Sequence, residues 1–357
     1  MARAELLVDR LVATGFIRPS VLWRGLQRCR PSFSHWGVGL LIGLSGLLVE
    51  PLAWLQSLLY AKRLRRAQLP DDPIVIIGHW RSGTTFLHQL LACDPAVATA
   101  RNTLTVAPQV ALLLQPWIAP LMKVWMTRVR PIDAVPWGPD DPQEDELGLA
   151  RLTFDTNMGG MAFPRDYLAN VRRHVLETST AYERQWLTFC RLTWLHDGAG
   201  KSHWLIKNSV HTARVSLVLK HFPRAQFVLL RRSPVDSIRS LVQVKQRLGA
   251  LVGMQPLPDP PTQVEETATA HRELLEAFEA SRHLIPDQQL LELDYDDLIH
   301  QPWQAVGGVY THFDLASWPV AEAPIKARID RARSYTADPV QLPPQAERRL
   351  QELVKAS

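Results

Sequence analysis

The stretch that decides the fold is Ile77 to Phe86, which reads Ile-Gly-His-Trp-Arg-Ser-Gly-Thr-Thr-Phe. A short apolar run, Pro73 to Ile77, precedes it and is typical of a buried parallel strand. The residues that follow, Leu87 to Leu91, continue as the first turns of a helix. A strand, a glycine-flanked turn and a helix together form a phosphate cradle. The turn presents backbone N–H groups, and the helix N-terminus adds about half a positive charge.

The loop differs from the usual nucleotide-binding loop in one residue. Gly78 and Gly83 match the spacing of the pattern G-x-x-x-x-G-K-[ST], but Thr84 stands where that pattern has lysine. Arg81 lies inside the loop instead. Because the missing lysine normally reaches the β- and γ-phosphates of ATP, the sequence favours a nucleotide with one reactive group beside a single 5′-phosphate.

Length and composition are those of an ordinary globular protein. The chain has 357 residues, of which 46% are hydrophobic, enough for one large α/β domain with insertions or two smaller ones. Its three cysteines, Cys29, Cys93 and Cys190, are far apart and odd in number, which excludes a disulfide framework or a zinc spacing. Met1 to Arg30 has many arginines and no long apolar core, so we expect no secretory signal. These features predict a cytoplasmic protein.

The net charge of +5 is unevenly distributed. Residues 1–70 hold ten Lys or Arg and three Asp or Glu, a balance of +7, which leaves −2 for the rest of the chain. A nucleic-acid partner would need a basic face on the folded domain. The composition therefore argues against nucleic acid as a partner.

The N-terminal segment combines apolar runs with a basic cluster. Gly37 to Val49 carries no charge, Glu50-Pro51 interrupts it, and Leu52 to Ala61 is again mostly apolar. Thirteen residues are too few to span a bilayer, and the Glu-Pro break predicts a helical hairpin. A basic cluster beside apolar helices suits an anionic membrane surface, so residues 31–66 are a candidate for peripheral membrane contact. Packing on the catalytic domain or an oligomer contact are the alternatives. The basic cluster is Lys62, Arg63, Arg65 and Arg66.

Residues 71–335 alternate short apolar runs with longer helical patterns, which predicts a central parallel sheet flanked by helices. We therefore predict an α/β domain at 71–335, a helical segment at 1–70 and a C-terminal tail at 336–357. The predicted strands are Pro73–Ile77, His203–Ile206, Gln226–Leu230 and Gln289–Leu293. The predicted helices are Thr84–Cys93, Glu144–Thr156, Ala181–His196, Val210–His221, Pro234–Leu248, Gln263–Ala280 and Asp296–Phe313.

A second anion site follows the strand Gln226–Leu230. Pro234 is well placed as the first residue of a helix. Arg232, at the strand end, is suited to a bidentate phosphate clamp, and Ser240, about two turns into the helix, offers a hydroxyl. Two separate anion sites fit 3′-phosphoadenosine 5′-phosphosulfate (PAPS), with one site for each end.

On these residues the chain resembles the PAPS-dependent sulfotransferase superfamily, and in particular a bacterial branch whose loop reads like Gly78 to Thr85. The resemblance runs from about residue 73 to residue 313. It implies a P-loop-like α/β fold, no metal requirement and transfer of a sulfuryl group to an acceptor hydroxyl or amine. It also implies a 3′-phosphate element at Arg232–Ser240 and a late strand-to-helix segment at Asp294–Leu298. By position, the residues that would hold the 5′-phosphosulfate are Arg81, Ser82, Gly83, Thr84 and Thr85.

Two cations are candidates for stabilising the transferred group. Sulfuryl transfer, like phosphoryl transfer, places the attacking and leaving oxygens in line, and fixed cations can neutralise the leaving phosphate. Arg81 is the first candidate and Lys207 the second. Lys207 ends the strand His203–Ile206, where a side chain lies over the carboxyl edge of the sheet, the usual ligand position in such folds.

The general base stays open. Many relatives have a histidine two residues after this lysine, but that position is Ser209 here, and His211 lies two residues further on. Others have a glutamate shortly after the first helix, whereas Thr99 to Asn102 contains no carboxylate. The candidates are therefore His211, one of the acidic group Glu144-Asp145-Glu146, or another residue.

The acceptor and two rival functions also stay open. Trp117, Trp125, Trp137 and the apolar N-terminus favour a hydrophobic or lipid-like alcohol among small-molecule, lipid and glycan acceptors. A kinase with an atypical phosphate loop is one rival, and it predicts binding of ATP with magnesium. A nucleotide-binding regulator or membrane-associated scaffold without turnover is the other.

Overall fold

The centre of the molecule is a sheet of five parallel strands in the order β2-β3-β1-β4-β5. The computed structural model describes residues 10, 13–126, 137–333 and 340–355. The strands are β1 (Ile74–Ile77), β2 (Val97–Thr99), β3 (His203–Lys207), β4 (Gln226–Arg231) and β5 (Leu290–Asp294). The α-helices are α1 (Pro19–Arg28), α2 (Trp36–Arg66), α3 (Thr84–Leu91), α4 (Asn102–Thr105), α5 (Gln115–Trp125), α6 (Asp145–Leu152), α7 (Met158–Ala162), α8 (Tyr167–Val171), α9 (Thr180–Asp197), α10 (Val215–His221), α11 (Pro234–Val252), α12 (Pro260–Arg282), α13 (Tyr295–His300), α14 (Pro302–His312), α15 (Trp318–Ala332) and α16 (Pro344–Lys355).

Both faces of the sheet are covered by helices. In β1, Val75 and Ile77 face a core that includes Trp186 of α9, while Ile74 and Ile76 alternate to the opposite core, which includes α3 and α14. All four β1 side chains are buried, as expected for a parallel strand with helices on both sides. The predicted α/β fold with a central parallel sheet is confirmed.

The sequence predicted four of the five strands to within about a residue and missed β2. With only three residues, Val97–Thr99 is too short to show a periodic pattern. It joins the sheet through its register with β3, where Val97 pairs with His203 and Ala98 with Trp204. A partner distant in sequence therefore makes these residues a strand.

Two predicted helices are each broken into two. The segment predicted as one helix over Asp296–Phe313 forms α13 and α14, which are separated at Gln301 because Pro302 disfavours helical geometry in the residue before it. The segment predicted as a helix over Val210–His221 forms a 3-10 turn, Ser209–Ala213, followed by α10.

The predicted N-terminal hairpin is wrong, because α2 is a single helix of 31 residues with Pro51 inside it. At about 1.5 Å per residue it is about 46 Å long. A proline inside a helix removes one backbone hydrogen bond. The helix nevertheless continues, because its inner side is buried on both sides of the proline, at Gly46 and at Ala53. Phe33–Arg66 is long and apolar enough to cross a membrane by length and composition, although a third of its most apolar stretch is buried.

The N-terminal helices pack against the rest of the chain. Val38 and Ile42 of α2 share a small apolar core with Phe154, Phe163 and Met254. At the C-terminal end of the chain, Ala346 and Leu350 of α16 pack in a small apolar core with Val264 of α12. Residues 336–339 and 356–357 of the predicted tail lie outside the described residues. The division at residues 70 and 335 stays a prediction.

Candidate active site

The loop between β1 and α3 has a backbone conformation that requires glycine at two positions. Gly78 has φ of +134° and Gly83 has φ of +90°. A Cβ atom at Gly78 would lie 2.5 Å from the Leu230 carbonyl oxygen, and one at Gly83 would lie 2.7 Å from the Tyr295 ring. Both positions therefore require glycine. Arg81 is also left-handed, with φ of +70°, a strained geometry of the kind found at functional sites.

The N-terminus of α3 directly follows this loop and has unpaired backbone amides within the described chain. Among the described residues, the backbone amides of Thr84 and Thr85 have no acceptor. The next amide, that of Phe86, bonds back to the Gly83 carbonyl at 2.9 Å. The buried Ser82 hydroxyl donates to the His79 carbonyl at 2.7 Å and so braces the loop. The free amides and the helix dipole make this end of α3 suitable for an anion.

The second predicted anion element lies directly beside the first. The Arg232 guanidinium donates to the Arg81 carbonyl at 2.7 Å and stacks 4.0 Å from the centre of the Tyr295 ring. Arg81 in turn donates through Nε to the Ser240 hydroxyl at 2.9 Å. The two elements meet because β1 and β4 are parallel neighbours, so their carboxyl ends lie side by side. Pro234 occupies the first turn of α11, as predicted.

A cation and a carboxylate meet at the same edge of the sheet. Lys207 is the last residue of β3 and pairs in register with Ile76 of β1. Its ammonium forms an ion pair with the carboxylate of Glu144, at the N-terminus of α6. The Lys207 side chain is 5% exposed and that of Glu144 is 17% exposed. Glu144 is thus the member of the acidic trio that reaches both the cation and solvent.

Glu146 has a different environment. It is completely buried, one of its carboxylate oxygens accepts from the Asn208 side-chain amide at 3.0 Å, and the other accepts from the Asn157 backbone amide at 2.5 Å. Burial raises the pKa of its carboxyl group. Because both oxygens are engaged, Glu146 fastens α6 to the end of β3 and is not suited to be the general base. Asn208, which sequence reasoning overlooked, directly follows Lys207, and its position after a strand was the available signal.

His211 is also poorly placed for proton transfer. It is completely buried with its ring centroid 5.0 Å from that of Trp186, and its Nε2 lies 3.9 Å from Asp145 Oδ2. Within the described residues neither ring nitrogen has a hydrogen-bond partner. Burial lowers the pKa of His211 to about 3. The structure therefore argues against His211 as the base.

We expect His211→Gln to lower kcat by less than about tenfold, since a residue sealed from the acceptor transfers no proton, whereas a general base contributes 10²–10⁴-fold. Steady-state kinetics on variants shown to be folded by circular dichroism would measure this. A fall of a hundredfold or more would restore His211 as the candidate base.

Asp145 gives a prediction about pH and stability. Burial raises the pKa of this nearly inaccessible carboxyl group to about 8, from a normal value of 3.8. Between about pH 4 and pH 8 the folded chain therefore holds a proton that the unfolded chain has already released. This group lowers the stability of the fold as pH rises through that window. Asp145→Asn should raise the melting temperature more at pH 9 than at pH 5, which thermal unfolding at the two pH values would measure. An equal change at both would contradict the prediction.

Comparison with known proteins identifies relatives of this chain. The model of the Sulfotransferase family matches residues 73–319. The chain is 25% identical over 311 residues to the omega-hydroxy-beta-dihydromenaquinone-9 sulfotransferase Stf3 of Mycobacterium bovis, covering 85% of this chain and 77% of the relative. The Stf3 protein of Mycobacterium tuberculosis matches equally well.

Two crystal structures share the fold. Sulfotransferase STF9 from Mycobacterium avium superposes with a TM-score of 0.64 at 18% identity, over 94% of each chain. Sulfotransferase STF1 from Mycobacterium tuberculosis gives the same score and identity over 94% of this chain and 90% of its own. At this identity the two structures support the architecture alone.

Proposed function

The chain belongs to the sulfotransferase family and is a sulfotransferase, and we propose that it moves a sulfuryl group from PAPS to the hydroxyl of a hydrophobic, lipid-like alcohol. The observation that carries the choice of donor is the direct contact between the two anion elements. Arg81 links them, since its Nε bonds the Ser240 hydroxyl at 2.9 Å and its carbonyl accepts from Arg232 at 2.7 Å. A donor with an anionic group at each end fits such a pair.

In this proposal each element holds one end of the donor. The amides of Thr84 and Thr85, with Arg81, Ser82 and Gly83, hold the 5′-phosphosulfate. The guanidinium of Arg232 and the hydroxyl of Ser240 hold the 3′-phosphate. Charge-assisted hydrogen bonds from a guanidinium are well suited to a phosphate, and the amides at a helix N-terminus to the other anionic end.

Lys207 and Glu144 carry the chemistry. The acceptor oxygen attacks sulfur while the sulfur–oxygen bond to the leaving phosphate breaks. Glu144 accepts the proton of the acceptor hydroxyl, and the Lys207 ammonium neutralises the charge that develops on the leaving phosphate. The ion pair between these side chains supports the roles, because it keeps a base and a cation at one point of the sheet edge. The bisphosphate product then leaves.

The lipid-like acceptor is supported by exposed apolar side chains and by the relatives. Trp117 on α5 is 66% exposed, while the Trp125 side chain lies outside the described set. The Stf3 relatives are named for an omega-hydroxy menaquinone derivative as their acceptor. Contact of residues 31–66 with a membrane surface belongs to the same proposal, and the cytoplasmic location stays a prediction.

Calorimetric titration tests the donor. We expect 3′-phosphoadenosine 5′-phosphate to bind, and ADP and ATP with magnesium to bind far more weakly. Arg232→Ala should weaken bisphosphate binding by about 10- to 100-fold, since hydrogen bonds to charged groups contribute about 1.5–3 kcal/mol. Arg224→Ala is the matched control, because Arg224 is exposed and pairs with Asp71 away from this edge. Binding of ATP with magnesium that ignores the 3′-phosphate would overturn the proposal.

A transfer assay tests the acceptor. Labelled PAPS would be incubated with the purified protein and with long-chain alcohols, short-chain alcohols or free sugars. We expect the catalytic efficiency, kcat/KM, to rise with the length of the alkyl chain, because a longer chain buries more apolar surface. A preference for sugars would contradict the lipid-like acceptor while leaving the donor assignment intact.

A further inference from the structure

The outer face of α2 is almost entirely apolar. From Trp36 to Leu59, every exposed side chain of this helix is apolar apart from Ser57, whose hydroxyl bonds back to the Ala53 carbonyl at 2.8 Å. Monomeric soluble proteins rarely leave such a long apolar surface in water. The exposed large side chains are Trp36, Leu40, Leu44, Leu47, Leu48, Leu52, Trp54, Leu55, Leu58 and Leu59.

The polar residues of α2 lie on its inner side. The Gln56 side chain donates to the Pro108 carbonyl at 2.9 Å and accepts from the Leu112 amide at 2.8 Å. Glu50 forms an ion pair with Arg18 of the N-terminal segment. A surface helix in water normally has the reverse arrangement, with its polar side chains outward. The polarity of α2 therefore suits an apolar medium on its outer side.

A basic patch lies at the C-terminal end of this face. Lys62, Arg63, Arg65 and Arg66 are exposed, and none has an acidic partner in the part of the chain that the structure describes. An open crevice of about 350 Å³ is lined by Lys62, Arg63 and Arg66 together with Ala67 and Leu195. Positive charge beside an apolar face complements the phosphate groups of anionic lipids.

Exposed tryptophans on the N-terminal helices fit a membrane interface. Trp36 and Trp54 are 50% and 69% exposed on α2, and Trp23 of α1 is 63% exposed. Tryptophan is enriched at the level of the lipid headgroups. A helix that crossed the bilayer would instead place Glu50 and Gln56 in hydrocarbon, at a large cost. The geometry therefore favours a helix that lies in the interface.

We propose that α2 docks the enzyme on an anionic membrane, with its outer face among the acyl chains and the basic patch on lipid phosphates. The helix remains packed on the catalytic domain through its inner face, so the domain lies on the membrane surface. This placement deepens the proposed function, on which it rests for the lipid nature of the acceptor. The enzyme then works at the surface that contains such an alcohol.

Vesicle flotation of the full chain tests this docking. The probes are vesicles of phosphatidylcholine alone and vesicles of equal parts phosphatidylcholine and phosphatidylglycerol. We expect tight binding to the anionic vesicles, weaker binding to the neutral ones, and a loss of the difference at high salt because salt screens the basic patch. A chain that floats with neither vesicle would overturn the proposal.

Charge substitutions on the outer face give the matched comparison. Leu48→Glu and Leu58→Glu, at positions 78% and 77% exposed, should each weaken binding to anionic vesicles by about tenfold or more. The control is Val320→Glu, 57% exposed on α15 at the opposite face of the sheet, which should change binding less than twofold. Arg63→Gln with Arg66→Gln should weaken binding to the anionic vesicles by about 30-fold, or about 1 kcal/mol per cation, and leave binding to neutral vesicles unchanged.

Two other arrangements of this face, a dimer contact and a membrane-spanning helix, would give different results. If a second copy covers it, the chain will form a dimer that Leu48→Glu dissociates, and it will not float with vesicles, which overturns the proposal. If α2 spans the bilayer, the chain will resist extraction by high salt and alkaline carbonate, which also overturns it. Calorimetry with 3′-phosphoadenosine 5′-phosphate is the independent readout. If the chain binds the nucleotide but not the vesicles, only the docking proposal is overturned. If it binds the vesicles but not the nucleotide, the proposed function is overturned.

Discussion

Replacing Glu144 by Gln is expected to lower kcat by about 10²–10⁴-fold, the contribution typical of a general base. Glutamine keeps the shape of the side chain and an acceptor for the Lys207 ammonium, but it removes the basicity. We therefore expect the affinity for 3′-phosphoadenosine 5′-phosphate to change by only a few fold. Single-turnover sulfuryl transfer and calorimetry, measured on the same preparation, separate the two effects.

The neighbouring carboxylate provides the control for this experiment. Asp145 adjoins Glu144 but is buried, so Asp145→Asn should keep kcat within about tenfold of the unmodified enzyme. If Glu144→Gln were to lose less than tenfold, the base would have to be sought elsewhere. A loss of similar size in both variants would point instead to a general disturbance of α6.

Replacing Lys207 by Met is expected to lower kcat by about 10²–10³-fold, the usual cost of removing one donor that stabilises developing charge. The lysine lies at the end of β3, held by the sheet on one side and by Glu144 on the other. A fixed cation of this kind stabilises the leaving phosphate without reorganisation. The loss should appear in kcat and in weaker bisphosphate binding, since the bisphosphate carries the leaving group.

Lys245 offers a matched control, because it is equally buried but bonds Thr267 Oγ1 of α12 at 3.1 Å and lies over the Tyr167 ring, with no contact to Glu144 among the described residues. Lys245→Met should keep kcat within about tenfold. Melting temperatures must be compared first, since Lys207→Met leaves the Glu144 charge without its partner. Combining Lys207→Met with Glu144→Gln should cost less than the product of the single losses, because residues that act in one step are not additive. Full additivity would mean that the two side chains act independently.

Much of the molecule follows from local sequence. The apolar run before Gly78, the two glycines of the loop and Pro234 predicted a strand, a phosphate-type turn and a helix start, and the structure contains each of them. The physical reason is that these signals act over a few residues: only glycine suits positions 78 and 83, and proline fits the first helical turn. The resemblance of the chain to sulfotransferases rests on the same short elements and is confirmed.

The tertiary structure decided what depends on distant residues. Glu144, Asp145 and Glu146 are equivalent as a sequence, but burial and partners separate them: Glu144 meets a lysine 63 residues away, while Glu146 is tied to Asn208. The same is true of α2, which the Glu50-Pro51 pair predicted to be a hairpin. Its inner face packs on residues far along the chain, and that burial carries one helix through the proline. The sequence by itself thus determined the family, four of the five strands and the loop, whereas long-range packing decided which carboxylate contacts Lys207 and which face of α2 is left exposed.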